Sequence, residues 1–71
     1  MTKTELMRLE AYLRKMFHSD ALEVRPHRKK QDMAEIFIAG EFIAPVYRDE
    51  EDGELSYQVQ MAILEMDLPK N

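Results

Sequence analysis

The sequence predicts a single α+β domain in which an N-terminal amphipathic helix packs on one face of a four-stranded antiparallel β-meander, in the order α-β-β-β-β. Three observations predict it. Apolar residues recur at helical spacing as far as position 17 and then change to a period of two. The only two glycines, Gly40 and Gly53, sit where hairpin turns would divide the second half into strand-length pieces. The chain has 71 residues and no cysteine, so one core must hold it without a disulfide or thiolate metal site.

Leu6, Leu9, Leu13, Met16 and Phe17 form the apolar stripe of a helix over 3–18, with Lys3, Glu10, Arg14 and Lys15 on the other side. Thr2 is placed to cap it, and Glu5 three positions on completes a capping box. Arg14 and Lys15 suit the negative end of the helix dipole, and His18, Ser19 and Asp20 end the pattern.

Leu22 and Val24 then alternate with Glu23 and Arg25 until Pro26, which lacks an amide donor and stops the first strand. A polar, basic connection over 26–32 leads to a second strand, Met33 to Ala39. Gly40-Glu41 matches a two-residue type II′ turn, and Phe42 to Asp49 is the third strand. Glu50-Glu51-Asp52-Gly53 suits a three-residue loop closed by a glycine bulge. These turns set Ile38 against Ile43, Tyr47 against Tyr57, Pro45 against Val59 and Ile43 against Met61. The expected core face is then Ile36, Ile38, Ile43, Tyr47, Tyr57, Val59 and Met61, with Met16 meeting it from the helix. Pro45 argues against a fully paired third strand and is compatible with a bulge.

The other face is expected to carry Phe37, Phe42, Ala44, Val46 and Ala62 beside Glu35, Arg48, Ser56, Gln58 and Gln60. Leu64, Met66 and Leu68 break the parity of Tyr57, Val59, Met61 and Ile63, so either a bulge re-aims the strand or these late residues join the second face. A single helix cannot cover both faces. Phe37, Phe42, Val46, Leu64 and Met66 are therefore the candidate protein interface, for a homodimer or another protein, unless a terminal segment folds over them.

Chemical motifs are sparse. Ser19 and Ser56 lack a glycine-flanked elbow, both glycines are explained by turns, and His18 and His27 lack the i, i+4 spacing of a helical zinc site. The acidic cluster at 49–54 does not alternate as calcium ligands do. No catalytic residue, metal or cofactor is expected. Arg25, His27, Arg28, Lys29 and Lys30 concentrate positive charge and are the candidate anion or nucleic-acid contact, although no aromatic residue interleaves with them and the net charge is −4. Tyr47 and Tyr57 read as a cross-strand pair, and the six methionines as gap fillers. No apolar run approaches bilayer-spanning length, and a cytoplasmic protein is expected.

The stretches Ala34-Glu35-Ile36-Phe37-Ile38, Glu41-Phe42-Ile43, Val46 to Glu54 and Ser56 to Leu64 resemble a family of short bacterial proteins, domain-of-unknown-function family 3126. The resemblance implies a small cytosolic domain and brings no activity or site residues. The expected function is a non-catalytic protein-protein interaction module or adaptor, with a nucleic-acid accessory protein using the basic loop as the alternative.

Overall fold

The capping box forms as its spacing predicts. The Glu5 amide donates to Thr2 Oγ1 at 3.1 Å, and the Thr2 amide donates back to Glu5 Oε1 at 2.9 Å. From there α1 runs Lys3–Phe17 and closes on His18, which takes a left-handed φ of 52° and donates its amide to the Arg14 carbonyl. The computed structural model describes residues 1–70. After α1 come β1 (Leu22–Pro26), β2 (Met33–Ile38), β3 (Glu41–Asp49) and β4 (Ser56–Val59), then one turn of 3-10 helix at Glu65–Asp67. The strands form one antiparallel sheet in the order β1-β2-β3-β4, so the α-β-β-β-β meander is the observed architecture.

The register differs from the expected one at both hairpins. Ala39 and Gly40, with φ of 52° and 82°, are the turn residues; positive φ at both central positions is what a type I′ turn requires. Ile38 consequently faces Glu41, and Phe37 faces Phe42. The ladder then shifts at the Ile36/Phe37 step, leaving Ile43 as an extra residue, and resumes with Ile36 opposite Ala44 and Ala34 opposite Val46. This bulge exchanges the faces of β3. Ala44 and Val46, expected outside, are fully buried, whereas Tyr47, expected in the core, lies on the outer side opposite Gln58.

At the second hairpin Asp49 pairs with Ser56, so the loop spans 50–55 instead of three residues. Tyr57 faces Arg48 and Val59 faces Val46, in place of the expected Tyr47–Tyr57, Pro45–Val59 and Ile43–Met61 pairs. The Gln60 amide donates to the Pro45 carbonyl at 3.3 Å, but Pro45 has no amide to return the bond. β4 ends there. Met61 therefore lies beyond the sheet, half-exposed, and contributes nothing to the core.

The buried cluster is Leu13, Leu22, Val24, Ala34, Ile36 and Val46, with Leu6, Leu9, Ile38, Ile43 and Tyr57 packed at its margin. Helix and sheet are joined by polar contacts as well. Arg14 Nε donates to the Leu22 carbonyl at 2.7 Å, the Val24 amide donates to Glu10 Oε2 at 3.0 Å, and Arg14 and Glu10 pair at 3.4 Å. Two side chains one helical turn apart thus satisfy backbone groups on the free edge of β1, an edge that would otherwise present unpaired donors and acceptors. Near its other end α1 is tied through Glu5 to Arg48 on β3 and Tyr57 on β4. The helix packs mainly along β1, and Met16 and Phe17, expected in the core, remain about half exposed.

Candidate functional site

Three surface features and one polar cluster hold the residues that could carry function. On the outer sheet face the Phe37 and Phe42 rings meet edge to face, with centroids 5.7 Å apart, and the Arg25 guanidinium lies 4.1 Å over the Phe37 ring. Of the expected interface, Phe37 and Phe42 share this face, whereas Val46 is buried beneath the helix. Leu64 and Met66 are exposed on the segment beyond β4. The parity shift of the late residues marks where the strand has ended, not a second face.

The basic loop is shaped by His27, whose Nδ1 accepts the amides of both Lys29 and Lys30 at 3.1 Å. Arg28, Lys29 and Lys30 project into solvent, while Arg25 is engaged by Glu23 and Phe37. His27 and Lys30 also border an open cleft of about 680 Å³ beside the start of α1, lined by polar and apolar groups alike. Among the described residues no three His, Asp or Glu side chains converge as a metal site would need.

The polar cluster centres on Glu5. Its Oε2 accepts the Tyr57 hydroxyl at 2.6 Å and Arg48 Nε at 2.8 Å, while Oε1 takes the Thr2 amide. The Tyr57 hydroxyl, the Thr2 amide and Arg48, in that order, hold the carboxyl down at about 2. Arg48, held by Glu5 and also paired with Glu50, is pushed up, and so is the Tyr57 hydroxyl, whose proton serves the carboxylate. A carboxylate with three donors in place is a fastener between helix and sheet, with little remaining capacity to act as a base.

The third surface feature was not expected. Between the outer flank of α1 and β4 runs an apolar groove of about 660 Å³, lined by Leu9, Tyr12, Met16 and Phe17 on the helix and by Leu55 and Val59 on the sheet side. Its signal in the sequence is Tyr12, which widens the apolar arc of α1 beyond what one packed stripe requires. Past β4 every described residue is exposed, including Met61, Ile63, Leu64, Met66 and Leu68.

A family model described as protein of unknown function (DUF3126) matches residues 5–67, which takes in the helix from Glu5 on, all four strands and most of the segment after them. No curated protein and no solved structure matches the chain.

Proposed function

Because the chain belongs to the DUF3126 family, whose description assigns no activity, we propose from its surface chemistry that it is a non-catalytic protein-protein interaction module. The observation that carries the reading is area. The chain exposes 6100 Å², whereas a folded monomer of its 8.4 kDa is expected to expose about 4,600 Å². The surplus is the size of one side of a generous protein interface, and Tyr12, Met16, Phe17, Phe42 and the large apolar residues from Met61 to Leu68 are all about half exposed or more. Large apolar side chains exposed together in this number mark a contact surface. No described helix is long and apolar enough to cross a membrane. A cytoplasmic location belongs to the same reading.

Affinity capture of the tagged full chain tests this. A stoichiometric protein partner, itself or another, retained by the wild type and lost from Phe42→Asp or Ile63→Asp supports the module. A monomer at all concentrations that retains no protein contradicts it. The alternative, a nucleic-acid accessory protein, is favoured by the arrangement of Arg28, Lys29 and Lys30 around His27, against a net charge of −4. A gel shift weakened uniformly across sequences by Lys29→Ala with Lys30→Ala, with a shallower salt dependence, would favour it.

A further inference from the structure

We propose that the segment Met61–Leu68 of one copy occupies the groove between α1 and β4 of a second copy, reciprocally, making a two-fold dimer; this rests on the interaction-module reading. Four observations converge on a second copy as the occupant.

The first is chemical fit. The groove is apolar, and the tail offers Met61, Ile63, Leu64, Met66 and Leu68 with Glu65 and Asp67 between the last three. Glu5 and Arg8 are the charged residues that border the groove; Glu5 is already held by Thr2, Arg48 and Tyr57, so Arg8 is the charge that would meet the acidic residues of the tail.

The second is reach. Five extended residues and the three of the 3-10 turn span about 22 Å, and the stretch of α1 from Glu5 to Phe17 that borders the groove rises about 18 Å. The tail is long enough to follow the groove from end to end.

The third is direction. Val59 lines the groove, but β4 ends there and every described residue after it is exposed; the molecule is elongated, with extents of 43 × 26 × 23 Å and a radius of gyration of 13.3 Å, against about 11 Å for a compact chain of this length. Entering its own groove would require a reversal just after Gln60, and the stretch Met61 to Leu64 that would have to make it holds no glycine, proline, asparagine, aspartate or serine. A second copy meets the same segment without that turn, as in an exchange of elements between protomers.

The fourth is the state of the sheet edges. The edge of β1 is occupied by Glu10 and Arg14, whereas β4 is the other edge strand. Gln60 turns its backbone toward Pro45, so the alternation of an antiparallel ladder points the amides and carbonyls of Tyr57 and Val59 away from the sheet. An incoming strand finds free partners there as well as apolar side chains.

The test uses two full-length variants, each altered at exposed residues: a groove variant, Tyr12→Asp, and a tail variant, Ile63→Asp with Met66→Asp. Sedimentation velocity should find the wild type dimeric and each variant associating roughly 30-fold more weakly or worse. Mixing the two variants should restore a heterodimer, because the tail variant keeps an intact groove and the groove variant an intact tail. Circular dichroism establishes that each is folded; should Tyr12→Asp not fold, truncation after Gln60 paired with Leu55→Asp repeats the complementation. A wild-type dimer that both variants preserve overturns the exchange while leaving the interaction module standing on another face. A monomeric wild type whose tail resists proteolysis overturns both, since the tail would then lie in its own groove and the apolar surface would not be free.

Discussion

Glu5 performs two tasks with one carboxylate, capping α1 through the Thr2 amide and fastening it to Arg48 and Tyr57. Its carboxyl is lowered from 4.5 to about 2 on folding. The folded state therefore binds this proton less readily than the unfolded chain, so the stabilisation is complete above about pH 4.5 and disappears as pH falls toward 2. Glu5→Gln should cost about 1–3 kcal/mol at neutral pH, and thermal melts should show the gap from wild type narrowing through that window. Ala39 is the opposite case, a residue held at φ 52° where a side chain is disfavoured. Ala39→Asn, which tolerates that conformation and completes an Asn-Gly turn, should raise stability by up to about 1 kcal/mol in chemical denaturation.

At the scale of elements, α1 is tied to β1 by side-chain bonds to strand backbone. Removing Glu10 leaves the Val24 amide without its acceptor at a buried position. Glu10→Ala should cost about 1–3 kcal/mol, and hydrogen exchange should show the Val24 amide losing protection ahead of the β2–β3 ladder. The elements themselves were legible in the sequence because their signals are local: Thr2 and Glu5 are three residues apart, Pro26 stops β1 as its last residue, and Gly40 marks the first hairpin. Register was not legible. Moving the turn back one residue, onto Ala39, and admitting Ile43 as a bulge changes no alternation that can be read from the residues alone, yet it carries Val46 from the expected interface into the core. Phe37 and Phe42 precede or face the bulge and kept their expected side. The Glu5–Arg48–Tyr57 cluster joins positions 43 and 52 residues apart, a distance over which sequence spacing carries no information.

For the whole molecule, the core is small: Leu22 and Val46 are its largest fully buried side chains. Chains of this length commonly gain their margin from association, and a reciprocal exchange of Met61–Leu68 would cover surface that the monomer leaves in water. The most direct measurement is an isotope-filtered NOE experiment on a mixture of labelled and unlabelled full-length chains. A reciprocal dimer should give cross-peaks between the methyl groups of Ile63 and Leu64 in one copy and the Tyr12 ring of the other. Cross-peaks from those methyls to Tyr12 of the same chain alone, or none to Tyr12 at all, would contradict it.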